Sequence, residues 1–266
     1  MPIEYCSSST LKEVYTAVVG LPDAPDPLEA AILRRQFQRT WSPHTLAANQ
    51  VLVQGPATEG DGLAEVPPRW FEQLTWENGA WTGRWGHRTL GLHRLITKGK
   101  YETFSSTMKP TLLEWLEAGE RAYDFLGQAP PVASVVFGYV NVFELELDDG
   151  DLSDWFRFNF AVDITGAETG LVELAVGAKV ARPDKAARAA INLVAKQQDH
   201  HVEVVVHTFA ERDATDGTTF AEQNQLLDEI EQAKTVAKDT FFSFTTEQTL
   251  ELMGASHGPQ ATAQPD

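Results

Sequence analysis

Two long amphipathic helical patterns constrain this chain most, since each follows a series of strand-like segments and needs an apolar surface to pack on. In the first pattern the apolar residues recur at three- and four-residue steps and end before Gly127: Phe104, Met108, Leu112, Trp115, Leu116, Ala122 and Leu126. In the second they are Leu226, Leu227, Ile230, Ala233, Ala237, Phe241 and Phe244. Because a helix with one apolar stripe buries it against another element, we expect each helix to pack on a β-sheet.

The segments before the two helices follow a similar order. Periodicity and turn residues predict, in the first half, strands at 11–21 and 45–53, further strands within 70–96 and a helix at 27–42. In the second half they predict strands at 132–147, 158–164, 170–181, 189–196 and 201–209 and a short helix at 151–156. We therefore predict an α+β fold of two topologically similar halves (strand, helix, strands, long helix), with antiparallel sheets each covered by a long helix.

The predicted organisation is an N-terminal half at 1–130, a C-terminal half at 131–254 and a disordered tail at 255–266. Pro110 does not fit a helix interior, so the first long helix must begin near it or kink there. Two capping-box patterns predict helix starts in the second half. Thr219 with Glu222 opens the second long helix, and Thr245 with Gln248 opens a short last helix.

The charge of the chain is strongly negative and unevenly distributed. The formal net charge is −17, and residues 131–266 hold 23 of the 38 acidic but only 9 of the 21 basic residues. This excludes direct nucleic-acid binding, which depends on clustered Lys and Arg, and favours a protein partner with a basic surface. A homo-oligomer is an alternative. One cysteine, Cys6, and no apolar run of about 18 residues or leader pattern predict a cytoplasmic protein that does not bind a membrane.

One basic strip interrupts this acidic chain. No acidic residue falls between Glu77 and Glu102, and the segment 84–100 carries Arg84, Arg88, Arg94, Lys98 and Lys100 with His87 and His93. Trp81 and Trp85 are available for stacking. We predict that Arg84, Arg88, Arg94, Lys98, Trp81 and Trp85 bind an anionic ligand. A strip that instead faces solvent or the acidic segment 144–154 remains an alternative.

Other polar segments do not fit a metal or catalytic site. His201, Glu203 and His207 would share one face of a strand, but six residues separate the two histidines by roughly 20 Å. The acidic residues Glu144, Glu146, Asp148, Asp149, Asp151 and Asp154 lack the order of a calcium loop. No nucleophile elbow or Cys/His pairing is present. We therefore predict no catalytic residue, no metal and no cofactor.

Several segments together resemble a known family. They are Leu11-Lys12-Glu13-Val14, Leu92-His93-Arg94-Leu95 with Tyr101-Glu102-Thr103-Phe104, Phe137-Gly138-Tyr139-Val140-Asn141, Asp151-Leu152-Ser153-Asp154-Trp155-Phe156, and the helix that leads into Phe242-Ser243-Phe244-Thr245-Thr246-Glu247. The chain resembles a sporadically distributed bacterial family of roughly 250-residue proteins of unknown function. The resemblance implies a bacterial origin and a distribution typical of mobile or defence-associated genes, and it supplies no activity.

We therefore expect a non-enzymatic bacterial cytoplasmic interaction protein, an accessory, immunity or antitoxin-like component of a defence or mobile-element system. The alternative is a module that binds an anionic small molecule in a cavity between helix and sheet. A third hypothesis is an enzyme whose site is assembled only by the fold.

Overall fold

The computed structural model describes residues 3–6, 10–20, 32, 35, 45–53, 69–78, 80–86, 89–96, 108–146, 152–158, 173–182, 186–198, 201–253 and 255–257. Of the helix predicted at 27–42, only Ile32 and Arg35 lie within these residues, and both are helical. Most of the strand predicted at 158–164 lies outside them. The described residues form an α+β fold.

Eleven strands and four helices lie within the described residues. The strands are β1 (Ile3–Cys6), β2 (Leu11–Val19), β3 (Thr45–Val53), β4 (Arg69–Asn78), β5 (Trp81–Gly86), β6 (Thr89–Leu95), β7 (Ser134–Glu146), β8 (Glu173–Arg182), β9 (Ala187–Gln198), β10 (His201–Asp213) and β11 (Ala255–His257). The helices are α1 (Lys109–Phe125), α2 (Leu152–Trp155), α3 (Gln223–Phe244) and α4 (Glu247–Leu252).

Nine of the strands form one continuous antiparallel sheet, in the order β3-β4-β5-β6-β2-β7-β10-β9-β8. We expected a separate sheet in each half, and this was wrong. Strands β2 and β7 pair along most of their length, which joins the strands of both halves edge to edge. Local patterns identify strands but do not say which strands pair, and here the pairing bridges more than a hundred residues of sequence.

The predicted tail also begins in ordered structure. Residues Ala255–His257 form β11, which pairs with β1 in a separate two-stranded sheet. Three residues are too few to show the period-two pattern of a strand, so only the contact with β1 reveals this one. The rest of the predicted tail, 258–266, lies outside the described residues.

The two faces of the large sheet differ in what they carry. Along β2, Val14, Thr16 and Val18 are buried, whereas Glu13 and Tyr15 between them stay partly exposed. We call the face that carries Val14, together with Leu92, Phe137 and Val206, the helix face, and the opposite face the far face. Side chains alternate between the two faces along every strand.

The helix face carries the main apolar core. Helix α3 contacts β7, β9 and β10, and α1 contacts β6 and α3. Most residues of the two predicted stripes are buried, with Trp115 and Leu116 of α1 and Ile230 and Ala233 of α3 fully enclosed in one core cluster. Leu126 and Phe244 are partly buried, and Phe104 lies outside the described residues. Pro110 does not kink the helix, because α1 begins at Lys109 and the proline lies in its first turn.

The predicted helix caps are partly confirmed. The Glu222 carboxylate accepts hydrogen bonds from the Thr219 backbone N–H and from its hydroxyl, the latter at 2.8 Å, just before α3 begins. The second box was predicted one residue too early. Thr245 donates its hydroxyl to the Phe242 carbonyl at the end of α3, and the Thr246 hydroxyl accepts the Thr249 N–H and caps α4. With two adjacent threonines, the sequence pattern fits either register.

We predict that Gly83→Ala destabilises the fold. A Cβ at Gly83 would lie 2.6–2.9 Å from three carbons of the Trp115 ring, which is fully buried and has no room to retreat. We expect a loss of about 1–3 kcal/mol, measured by urea denaturation. The control is Gly91→Ala in the neighbouring strand, where the nearest atoms to a new Cβ are 3.5 Å or further. Equal stability of the two variants would contradict the prediction.

Candidate functional site

Four titratable side chains from three strands meet on the far face. Glu13 and Tyr15 come from β2, His93 from β6 and His207 from β10. In the sheet register Tyr15 lies directly opposite His93 on one side and Gly138 of β7 on the other. We call Glu13, Tyr15, His93 and His207 the Tyr15 cluster. Its members are partly exposed and lie near the middle of the sheet.

Tyr15 and His207 are joined by a hydrogen bond. The Tyr15 Oη lies 2.6 Å from His207 Nε2. Burial raises the pKa of Tyr15, and the negative charge of Glu13 raises it further. Burial lowers the pKa of His207, although the Glu13 charge opposes this. At neutral pH Tyr15 is therefore a phenol and His207 a neutral imidazole, and the tautomer of the ring decides which of the two donates the hydrogen bond.

Glu13 and His93 form a second pair beside the first. Glu13 Oε1 is hydrogen-bonded to His93 Nδ1, and this bond, followed by the positive charges around it, lowers the pKa of Glu13 against the opposing effect of burial. The carboxylate is therefore charged and accepts a hydrogen bond from the Nδ1–H, which leaves Nε2 as the nitrogen without a proton in the neutral tautomer. A carboxylate that orients an imidazole in this way is the arrangement found behind many general bases.

The ring of Tyr15 holds the two pairs together. It stacks on His93 with ring centres 5.2 Å apart and an interplanar angle of 16°, and it is tilted against His207 at 5.6 Å. The ring has space because residue 138 is a glycine. A Cβ at Gly138 would lie 2.3 Å from Tyr15 Cζ and 2.5 Å from its Oη. This glycine is therefore part of the site, although it carries no functional group.

Strands β7 and β10 carry an apolar centre between two acidic ends. The paired far-face residues in the centre are partly exposed and apolar apart from His207 itself: Val136, Val140, Val142, Val205 and Phe209. At one end Glu203 lies directly opposite Glu144, and Glu146 follows in the next row opposite His201. At the other end are Glu211 and Asp213. We call this surface the β7/β10 ladder, and the Tyr15 cluster borders its centre.

The two acidic ends of the ladder differ in their partners. At the Asp213 end, Arg188 lies 2.9 Å from Asp213 Oδ1 and 3.7 Å from Glu211 Oε2, and the Ser134 hydroxyl donates to Glu211 at 2.8 Å. At the other end the carboxylates of Glu144 and Glu203 face each other across β7 and β10. On its other side, β10 pairs with β9, where Lys196 lies opposite Glu203. The Glu144 end is therefore the one where like charges are adjacent.

The residues predicted to bind an anion do not form one surface. Arg84 is exposed, and its charge contributes to lowering the pKa of Glu13 on the far face. Trp81 and Arg94 lie on the helix face, where the guanidinium stacks over the indole at 5.0 Å. The strand alternation that separates them was not included in the prediction. The backbone of Trp85 lies in β5, and its side chain lies outside the described residues, as do Arg88 and Lys98.

The other polar segments occupy separate places. His201 and His207 both lie in β10, and only His207 belongs to the Tyr15 cluster. Within the part of the chain that the structure describes, no group of three or more His, Cys, Asp or Glu side chains could hold a metal ion. Of the acidic run, Glu144 and Glu146 lie at the end of β7 and Asp154 in α2, while Asp148, Asp149 and Asp151 lie outside the described residues.

Sequence reasoning missed the Tyr15 cluster. Tyr15 and His207 are 192 residues apart, and Glu13 and His93 are 80 apart, so no local motif connects them. The signal that was available is weak. Glu13 and Tyr15 interrupt a strand pattern whose alternate residues are apolar, which predicts their face but not the strands that bring partners to it.

Comparison with known proteins does not identify a relative. No protein-family model matches the chain, and no curated protein matches its sequence. In the described part of the chain, none of the helices combines the length and the apolar character needed to cross a membrane. The function is therefore argued from the geometry of the far face.

We predict that His207 makes stability depend on pH below about 6.5. Its pKa is lowered from 6.5 in the folded protein, so between the two values the unfolded chain holds more protons and stability falls as pH falls. The slope contributed by one such group reaches at most about 1.4 kcal/mol per pH unit. The pKa of Glu13 is lowered from 4.5, so Glu13 makes stability depend on pH only below about pH 4.5. Unfolding free energies measured between pH 8 and pH 5 should fall less steeply with pH for His207→Gln than for the wild type. A His207→Gln variant as steep as the wild type would refute this.

We predict that Gly138→Ala displaces the Tyr15 ring. Because the new Cβ would overlap ring atoms, we expect a loss of about 1–3 kcal/mol of stability in urea denaturation and weakening of the bond to His207. In a Tyr15→Ala background the same substitution meets no ring. The double variant should therefore be more stable than the sum of the single effects predicts. Additivity within about 0.5 kcal/mol would show that the ring is not what Gly138 accommodates.

Proposed function

We propose that this chain is a non-enzymatic interaction protein that binds a protein with a basic surface through the far face of its sheet. The observation that carries the proposal is the β7/β10 ladder, in which partly exposed apolar residues lie between two acidic ends. An apolar centre with a charged rim is the usual arrangement of a protein-binding surface. The net charge of −17 adds long-range attraction for a basic partner.

The Glu144 end of the ladder supports the choice of a basic partner. Glu144 and Glu203 lie directly opposite each other in neighbouring strands, where like charges are destabilising by about 0.2–1 kcal/mol. Lys196 of β9 lies opposite Glu203 on its other side, whereas Glu144 is exposed at the end of β7. A Lys or Arg of a partner placed over the two carboxylates would be attracted to both of them. The pair therefore suits a basic partner.

The biological setting is proposed from the family resemblance. A sporadically distributed bacterial family among mobile or defence-associated genes would suit an accessory, immunity or antitoxin-like role in the cytoplasm. Such roles consist of binding another protein tightly and specifically, which agrees with the proposed interface and requires no catalytic residue. A second copy of the chain is the alternative occupant of the far face.

We further propose that the two halves are topologically equivalent. The strand order supports this, because β6, β5, β4 and β3 extend from β2 on one side while β10, β9 and β8 extend from β7 on the other. Each series is followed in the chain by a long helix, α1 or α3. In this view the β2–β7 pair is the junction between two similar units.

A second candidate function, an enzyme with a fold-assembled site, is favoured by one observation. The Glu13–His93 pair leaves His93 Nε2 without a hydrogen bond to any described residue, so this nitrogen is able to accept a proton from a bound molecule. His93→Gln distinguishes the two functions, because it would abolish turnover but leave binding at the Glu144 end unchanged.

We predict that Glu144→Gln with Glu203→Gln weakens partner binding while it stabilises the free protein. Removal of the opposed charges should raise the unfolding free energy by up to about 1 kcal/mol. Tagged protein would be used to capture partners from the source cells, and the captured protein would then be purified and titrated by calorimetry. We expect at least tenfold weaker binding and a smaller dependence on salt.

The matched control is Glu114→Gln with Glu251→Gln, which changes the net charge equally at exposed positions of α1 and α4. It should leave the affinity unchanged. Equal affinities for both double variants would refute the proposed surface. If no specific partner is captured and sedimentation shows a monomer, while the purified protein turns over a substrate, the interaction function itself would be wrong.

A further inference from the structure

The helix face carries a positive charge, Arg94, for which the described residues provide no ion pair. Arg94 of β6 shares this face with Leu90 and Leu92, which are fully buried in the main core cluster. Its guanidinium stacks on Trp81, the residue paired with it in β5. The Nε and Nη1 atoms of Arg94 are enclosed, and neither makes a hydrogen bond to a described residue.

Arg94 is partly exposed, but the enclosed Nε and Nη1 of its guanidinium need hydrogen-bond acceptors for physical reasons. Arginine does not lose its proton at any pH the protein meets, so burial cannot be relieved by neutralisation, as it is for lysine or histidine. Stacking on an indole recovers part of the lost hydration but satisfies no N–H donor. A buried donor left without an acceptor costs more when the group is charged. A bound acceptor with a negative charge would satisfy the N–H donors and would also neutralise the charge.

Buried polar groups elsewhere in the chain show the contrast. Glu229 is 3% exposed, and its Oε1 accepts hydrogen bonds from the Thr215 N–H at 2.9 Å and from the Thr215 hydroxyl at 2.8 Å, whereas its Oε2 makes no hydrogen bond to a described residue. Thr208 is fully buried, and its hydroxyl has no hydrogen bond to a described residue, but a single enclosed water satisfies such a neutral group. Arg94 differs from Thr208, because a water molecule does not supply the missing negative charge, and it differs from Glu229 in having no hydrogen bond at either of its two enclosed nitrogens.

We propose that Trp81 and Arg94 form the anion-binding end of a ligand site on the helix face. The ligand is an oxyanion, a carboxylate or a phosphate, since these match the planar donors of a guanidinium. It is carried on an apolar body, because Trp81 and Ile96 beside Arg94 pack against the main core cluster. The inference is independent of the proposed protein interface, which lies on the opposite face of the sheet.

The test is a thermal-shift measurement on the full chain with four probes. Octanoate and octyl phosphate carry the two oxyanions on an apolar chain, octanol lacks the charge, and inorganic phosphate lacks the apolar body. We expect one or both charged amphiphiles to raise Tm by roughly 5–10 °C at a hundred times the dissociation constant. The comparison between them identifies the oxyanion. Octanol and inorganic phosphate should shift Tm by less than a third as much.

Substitutions assign the shift to Arg94. Arg94→Met keeps the volume and removes the charge, so it should raise the Tm of the free protein by about 2–4 °C and abolish the shift caused by the charged probes. The control is Arg84→Met, which removes one exposed charge on the far face and should retain the full shift. If Arg94→Met does not fold, Arg94→Lys replaces it. This variant keeps the charge but lacks the planar donors, and it should bind the probe at least tenfold more weakly.

Three results would overturn the proposal. The first is the absence of a shift with either charged amphiphile in the wild type. The second is an equal shift with octanol, which would assign the effect to apolar contact alone. The third is a shift retained in both Arg94 variants. Quenching of tryptophan fluorescence by the bound probe, lost in Trp81→Phe, provides a second readout that does not depend on stability.

Discussion

The pairing of β2 with β7 is the interaction on which the rest of the structure depends. It joins the strands of the first half to those of the second in one sheet, with Val14 opposite Tyr139 and Thr16 opposite Phe137. Both helical stripes then pack on the same face, and α1 and α3 contact each other. The same pairing places Gly138 under the Tyr15 ring and brings β10 close enough for His207 to reach Tyr15. The core on one face and the polar cluster on the other are thus two consequences of one register.

The alternation of side chains along the strands separates two kinds of chemistry within a few residues. In β6, His93 belongs to the polar cluster of the far face, and its neighbour Arg94 points into the core side against Trp81. The two partly exposed charges are accommodated differently: Glu13 is hydrogen-bonded to His93, whereas the contact of Arg94 among the described residues is the aromatic face of Trp81. The proposed protein partner and the proposed ligand would therefore occupy opposite faces of the sheet.

A feature could be predicted from the sequence when it depends on residues close together in the chain, and not when it depends on contacts between distant segments. Local patterns predicted the strands 45–53 and 134–146 and the two long helices closely. Pro110 also indicated where α1 begins, which is at Lys109. The single sheet and β11 depend on pairing between distant segments, which no local pattern encodes. The basic strip was wrongly treated as one surface because its residues were counted along the chain. The Tyr15 cluster needs three strands to be assembled before its members become neighbours, so it was invisible in the sequence.

A purely structural role for the Tyr15 cluster would be to hold the strands in register. The apolar residues of the helix face already fix that register. A slip of one residue between β2 and β7 would turn Val14, Thr16 and Val18 away from the core and expose them, which is far more costly than the loss of one hydrogen bond. Leu, Val or Thr at positions 13, 15, 93 and 207 would serve a sheet surface as well and would avoid the partial burial of a carboxylate, a phenol and two imidazoles. A glycine in the middle of β7 weakens the strand further, and its clearest effect is to admit the Tyr15 ring. Residues that stability alone would not favour are thus held together in one register, and this supports the proposal that the far face binds a partner.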